Sequence, residues 1–339
     1  MSLLETAPAR DGSAARPPVI EARGLELAYP RYGLPPKTVL RSIDLSIAAR
    51  EIVGLVGESG SGKSMLARAI MRLVPDPGRI SAGSVAFDGV DLATLTDDQM
   101  RQIRGRDIAM VISNPKGELD PLSTVGTQIG NVLRYHTRMG RKEIRARALE
   151  LLKSVRIPDP ERRLDAYPHE LSGGMAQRVV MAIALACNPR FVISDDATSG
   201  LDVTVQAQVL RLLEQLIEER GTAMLFITRD IAITAHFCDR IAVIHGGVVV
   251  EIAPRSLFFE DPRHPYSVLL LAAFAHNDRL RRYWLGEMRE VTPEMLKPSA
   301  GCPFANRCVK AQPRCYAEMP PLEGGADGHL VRCFYPVER

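Results

Sequence analysis

Short apolar runs alternate with amphipathic stretches along most of the chain. Residues 51–56, 108–112, 191–194, 223–227 and 241–244 are mostly apolar and read as buried strands. Between them, apolar positions recur with helical spacing over 65–73, 97–104, 125–134, 141–155, 175–186, 203–220 and 231–237. Gly221 ends the long helix at 220. In 141–155 the apolar positions Ala146, Leu149, Leu152 and Val155 oppose a basic face, which reads as solvated surface. Strands alternating with helices predict a parallel sheet covered on both faces. The beginning of the chain differs. Residues 19–29 and 39–47 alternate apolar and polar, as two strands joined by a Pro/Gly-rich loop over 30–36. Residues 84–87 read as a strand turned by Asp88-Gly89, after a Pro/Gly-rich turn region over 75–83. Residues 1–17 are small, polar and Pro-containing, and read as a disordered tail. No internal repeat is visible.

Composition narrows the classes. With 339 residues, 46% of them hydrophobic, the chain can build one large core or two smaller ones. Forty-three basic residues against 40 acidic ones leave +3, so there is no electrostatic case for a nucleic-acid partner. No apolar run reaches the ~18 residues of a membrane span. No apolar h-region follows Met1. The expectation is a cytosolic protein whose membrane role comes through a partner. Six cysteines in such a chain do not read as a disulfide framework. Cys187 and Cys238 sit alone among apolar residues, as buried free thiols.

One stretch carries specific chemistry. Gly57-Glu58-Ser59-Gly60-Ser61-Gly62-Lys63-Ser64 fits the P-loop pattern G-x-x-x-x-G-K-[ST], between a predicted strand and a predicted helix. The backbone N–H groups of Gly57, Ser59, Gly60, Ser61 and Gly62, with the helix N-terminus, form a nest for polyphosphate. Lys63 reaches the β- and γ-phosphates, and the Ser64 hydroxyl coordinates Mg²⁺. The nucleotide is expected to be ATP. Tyr29 or Tyr32 could stack on its adenine ring, and an ordinary half-exposed strand aromatic accounts for either equally well.

A second anion site lies at Leu171-Ser172-Gly173-Gly174-Met175-Ala176-Gln177-Arg178, where a serine and two glycines open a helix. With this element the chain resembles the ATP-binding cassette transporter ATPases, whose signature is LSGGQ. Met175 followed by Gln177-Arg178, Tyr167-Pro168-His169-Glu170, and Leu201-Asp202-Val203-Thr204-Val205-Gln206 resemble the oligopeptide/dipeptide importer branch. The resemblance spans residues 19–337. It implies an α/β P-loop fold with a RecA-like core, an antiparallel β subdomain, a helical subdomain at about 115–185 and a Cys-rich C-terminal extension. The implied boundaries are a tail over 1–17, a nucleotide-binding domain over 18–282 and the extension over 283–339. It also implies two cassettes packed head to tail, each nucleotide lying between one P-loop and the other's Ser172-Gly173-Gly174 equivalent. Two membrane permeases, and indirectly a solute-binding protein, complete the assembly at the cytoplasmic face of the cell membrane. The solute would be a peptide or a similar small polar molecule.

Three positions depart from that family. The strand ahead of the acidic pair ends in Asp-Glu there, the Asp holding Mg²⁺ and the Glu aiming water. Here the pair is Asp195-Asp196, followed by Ala197. Asp196 is one methylene short, and a displacement of about 1 Å can cost ~100-fold. The family's Thr-His-Asp reads Thr228-Arg229-Asp230 here, and a fixed cation cannot copy a neutral imidazole. The family's Gln near Asn114-Pro115 aligns with Ser113, too short to reach Mg²⁺ or water. Lys63, Ser64 and Asp195 remain. The expectation is a site that binds ATP and hydrolyses it poorly, in a heterodimer whose competent site uses this chain's Ser172-Gly173-Gly174. The alternative is a regulatory or structural ATP-binding subunit without turnover. A translation- or repair-type relative would need two cassettes or a long coiled coil, and neither is visible.

The C-terminal segment holds Cys302, Cys308, Cys315 and Cys333, enough thiolates for one metal ion or cluster. None shows C-x₂-C spacing. The resemblance implies a [4Fe–4S] cluster with a structural role. Zinc and four free thiols stay open. His264 and His276 read as surface or packing residues.

Overall fold

The computed structural model describes residues 18–112, 114–199, 202–274 and 300–337. The tail over 1–17, Ser113, Leu201 and His276 lie outside the described residues.

The chain opens with a long hairpin, β1 (Pro18–Arg31) and β2 (Leu34–Ala48). The expected loop over 30–36 is therefore almost all strand, and only Tyr32-Gly33 turn. Pro35 and Pro36 are tolerated because β2 is an edge strand, where a missing N–H interrupts no ladder. Then follow β3 (Ile52–Val56), α1 (Lys63–Ile70), β4 (Arg79–Phe87) and β5 (Val90–Asp91). Helix α2 (Asp97–Ile103) starts on a capping box, Thr96 with Gln99. Strand β6 (Ile108–Ile112) leads through the short α3 (Pro115–Glu118) to α4 (Val125–His136), capped by Thr124, and α5 (Arg141–Ser154). The one-turn α6 (Pro160–Arg163) precedes α7 (Gly173–Ala184). Next come β7 (Phe191–Asp195), α8 (Val203–Arg220), β8 (Ala223–Thr228), α9 (Ile231–Phe237) and β9 (Arg240–His245). Asp202 and Asp230 accept N-terminal amides of α8 and α9, and Gly221 closes α8 at φ 64°. The chain ends with β10 (Val248–Pro254), α10 (Arg255–Glu260), α11 (Pro265–Phe274), α12 (Pro313–Ala317), β11 (Glu323–Gly324) and β12 (Leu330–Val331).

Two sheets result, one ordered β2-β1-β4-β5 and antiparallel, the other β11-β12-β10-β9-β3-β8-β7-β6. The five strands from β9 to β6 are parallel, as expected, but β10, β12 and β11 extend the sheet in antiparallel fashion. The parallel-sheet expectation is corrected at this end. A hairpin through Gly246-Gly247 joins β9 to β10, and it needs no crossover helix. Successive residues of the central strands face different cores. Val53, Leu55 and Leu225 pack with α1 and the antiparallel sheet, while Ile52, Val56 and Phe226 pack with α4, α5, α7 and α8. Cys238 is fully buried, and its sulfur fills the space over Gly54, where a Cβ would come within 2.8 Å.

The segment after β10 is anchored by one buried carboxylate. Glu251 accepts the amides of Arg263 and His264, both at 2.8 Å, and meets His329 Nε2 at 2.7 Å. Arg332 donates to the Val249 and Pro320 carbonyls. A carboxylate with no solvent exposure is stable only when donors surround it in this way. Among the described residues no helix is long and apolar enough to cross a membrane.

Candidate functional site

The P-loop joins β3 to α1 at the carboxyl end of the parallel strands, where open α/β sheets bind ligands. Gly60 (φ 77°) and Gly62 (φ 110°) take left-handed backbone, which glycine adopts freely. A Cβ on Gly57 would run into the Ile244 carbonyl oxygen. The loop frames a cleft of about 410 Å³, lined by Ser59, Gly60, Gly62, Lys63 and Ser64 on one side and by Asp195, Asp196 and Arg229 on the other. Lys63 is buried. Its Nζ donates to the carbonyls of Gly57 and Glu58, both at 2.7 Å, and lies 3.4 Å from Ser61 Oγ. Burial pulls its pKa below the usual lysine range, against the opposing pull of Asp196 and Asp195.

Ser64 Oγ donates to Asp195 Oδ1 at 3.1 Å. Burial raises the Asp195 pKa, and the Ser64 hydrogen bond opposes the rise. A hydroxyl and a carboxylate meeting at the mouth of a phosphate nest suit Mg²⁺, which takes few protein oxygens and completes its shell with water and phosphate. Ser64 and Asp195 would hold it.

Asp196 and Arg229 are brought together. Arg229 Nε donates to Asp196 Oδ2 at 3.0 Å, its Nη2 lies 2.8 Å from the same oxygen, and Nη2 also reaches Ser199 Oγ at 3.3 Å. The two substituted positions are thus one ion pair across the cleft. The sequence presents them as separate departures, because 32 intervening positions hide their pairing. Ser113, the third departure, lies outside the described residues.

Ser172, Gly173 and Gly174 do not line this cleft. Ser172 caps α7 by accepting the Met175 amide at 3.3 Å, and both Ser172 and Gly173 are exposed. Gly174 is held against α8, since a Cβ there would come within 2.8 Å of Val205. Tyr29 does not line the cleft either. It packs on Gly78, and its hydroxyl stands 4.0 Å from the sulfur of Met65, which does line it. Tyr32 is fully exposed at the hairpin tip.

Cys302, Cys308, Cys315 and Cys333 line one small pocket with His264 and Phe334. Burial pushes the Cys302 thiol up to about 12 and the Cys333 thiol up to about 11. Yet among the described residues no group of three or more His, Cys, Asp or Glu side chains could hold a metal ion. The expected ligand set is gathered but not converged, and this arrangement is not that of a single bound zinc. Of the two readings, surface or packing, His264 takes the second: it is buried, accepts the Tyr266 amide at Nδ1, and has Nε2 3.9 Å from Cys302 Sγ.

The sequence reading missed the charged and aromatic residues around Glu58. Arg307 pairs with the Glu58 carboxylate, Tyr266 holds its amide, and His245 lies beside it. The only available signal was an arginine inside the Cys302–Cys308 loop, facing no partner that spacing could identify.

The ABC transporter family matches residues 40–199, and the oligopeptide/dipeptide transporter C-terminal region matches residues 250–315. A dipeptide transport ATP-binding protein of Escherichia coli is 42% identical over 298 residues, covering 87% of this chain and 90% of its own. An oligopeptide transport ATP-binding protein of Bacillus subtilis is 38% identical over 315 residues, covering 93% of this chain and 88% of its own. Among solved structures, a dimeric ATP-binding cassette in a post-hydrolysis state, bound to ADP and Pi, superposes with a TM-score of 0.62. It is 31% identical and covers 70% of this chain and 98% of its own.

Proposed function

From the premise that this chain belongs to the ABC transporter family, in the branch with an oligopeptide/dipeptide transporter C-terminal region, we propose that it is the ATPase subunit of an importer. The solute is a peptide or a similar small polar molecule. The chain works at the cytoplasmic face of the cell membrane, docked on two permeases. Its working division is a cassette over 18–282 and an extension over 283–339, tied to the cassette by β12.

Within that role its own P-loop binds MgATP and turns it over slowly, and its Ser172-Gly173-Gly174 element completes the competent site of a second, different ATPase subunit. The observation that carries this reading is the Asp196–Arg229 ion pair. A carboxylate that is to aim water needs free lone pairs directed at it. Here a guanidinium occupies those of Oδ2, one of the two carboxylate oxygens, while Lys63, Ser64 and Asp195 stand where phosphate and Mg²⁺ would be held. Co-expression with permeases and a second cassette tests the reading. The isolated chain should bind ATP and hydrolyse it at a small fraction of the rate per assembled complex. Brisk turnover by the isolated chain would overturn the division of labour. No turnover in any assembly would favour the regulatory alternative.

For the extension, the reading is that the four cysteines ligate a [4Fe–4S] cluster with a structural role. That all four line one pocket supports it. Iron and sulfide assay with visible absorption of anaerobically purified protein tests it. Stoichiometric zinc or metal-free folded protein would refute it.

A further inference from the structure

The P-loop residue Glu58 is held at each of its functional groups, at two of them from outside the loop. Its amide donates to the Tyr266 hydroxyl at 3.0 Å, and Tyr266 is fully buried. Its carbonyl accepts from Lys63 Nζ. Its carboxylate receives a forked pair from Arg307, with Nη1 at 3.2 and 3.1 Å from the two oxygens and Nη2 at 3.2 Å from Oε1. Arg307 in turn lies 5.6 Å over the Phe304 ring, and the Phe304 ring packs on Tyr266 and His245. Pro303 of the same loop closes over Gly246. The phosphate nest thus rests on a small aromatic platform built from α11 and from the Cys302–Cys308 loop.

We propose that Arg307 is a positioning residue for the nucleotide: it draws the Glu58 carboxylate away from the phosphate nest, cancels its charge and fixes the carbonyl on which Lys63 rests. This rests on the reading that the P-loop binds ATP. A carboxylate inside a triphosphate nest is a liability, because like charges repel within a few ångströms. The forked guanidinium geometry restricts Glu58 to one direction, which a point charge on a flexible stem would do less well. Because the carrying loop lies between two of the clustered thiols, the order of the Cys-rich pocket reaches the P-loop through this side chain. The extension becomes part of the nucleotide site.

The test is equilibrium binding of MgATP and MgADP to full-length Arg307→Ala, Arg307→Lys, Glu58→Gln and the Arg307→Ala/Glu58→Gln double variant, with unliganded melting temperatures alongside. Arg307→Ala should weaken MgATP binding about fivefold, the scale of a partly exposed forked pair, and MgADP less, having one phosphate fewer to repel. Arg307→Lys should fall between wild type and Arg307→Ala. The double variant should recover most of the loss, because the liability is gone. Unchanged affinity in Arg307→Ala, or a loss that Glu58→Gln does not relieve, would overturn the proposal. If Arg307→Ala does not fold, Tyr266→Phe, which keeps the ring and removes only the acceptor for the Glu58 amide, must show a loss of MgATP affinity. Lys63→Ala reports separately on whether the loop binds ATP at all.

Discussion

The two surfaces of this chain proposed to meet nucleotide differ. In the P-loop cleft the lysine is buried, the serine is already bonded to Asp195, and Asp196 is held in an ion pair. At the Ser172-Gly173-Gly174 edge, Ser172 and Gly173 are exposed, Ser172 caps the helix, and the sequence keeps the family's Ser-Gly-Gly. On the proposed reading the first surface keeps its grip and has lost its aim. The second then works on a nucleotide held by another chain. That reading makes the interface, and not the polypeptide, the unit of catalysis.

The sharpest way to break this comparison is to disable each P-loop in turn. Replacing the partner cassette's P-loop lysine should reduce ATPase activity of the assembled complex by about 100-fold or more, the scale of losing a transition-state contact. Lys63→Ala should cost only a few-fold. Equal losses would mean that both sites turn over, and the contrast between grip and aim would fall.

Next in size is the exposed edge. Gly173→Asp places a carboxylate where helix α7 should offer amides to phosphate, and should lower turnover of the complex by about 100-fold or somewhat less. Nucleotide affinity of the isolated chain should not change, since Gly173 does not line its cleft. A loss of that affinity would show that the two surfaces are not separate.

Repair of the cleft comes third. Asp196→Glu with Arg229→His should raise turnover at this chain's own site by about tenfold, while either change alone should do little. Asp196→Glu alone leaves the guanidinium to capture the longer carboxylate. Arg229→His alone leaves the carboxylate short. A gain from one change equal to that from both would show that the ion pair does not restrain the base.

How much of this was legible follows the range of the interactions. The P-loop, the helix opened by Ser172 and the buried strands are local features, and they sit where the residues placed them. The two strands of the β1–β2 hairpin were legible, but their reach into residues 30–36 was hidden, because Pro35 and Pro36 break a strand in any position but an edge. Strand β10 was hidden by Glu251, a charge in an apolar run whose three donors come from residues 263, 264 and 329. The Asp196–Arg229 and Glu58–Arg307 pairs are equally non-local. Single-residue departures could be read from the sequence, but not that two of them neutralise one another.

The smallest effect probes the side that grips. His245 ends β9 beneath the P-loop, 4.0 Å from Glu58 Oε2 and with its ring tilted against Tyr266 at 4.2 Å, and burial lowers its pKa to about 4. Glu58 opposes that shift, while Arg307 reinforces it. In the unfolded chain the same imidazole titrates near 6.5. Between those values the unfolded state binds more protons than the folded one, so stability is full above about pH 6.5 and falls as pH drops toward 4. The slope from this residue is at most about 1.4 kcal/mol per pH unit. His264, buried and lowered to about 3, adds a slope of the same sign, so the total alone is not diagnostic. His245→Gln should remove its own share, flattening the fall in denaturation midpoint between about pH 6.5 and 4.5 without reversing it. If the variant's pH profile matched that of the parent, the neutral platform under Glu58 would not be packed as described, and the grip of the P-loop would have to come from the loop alone.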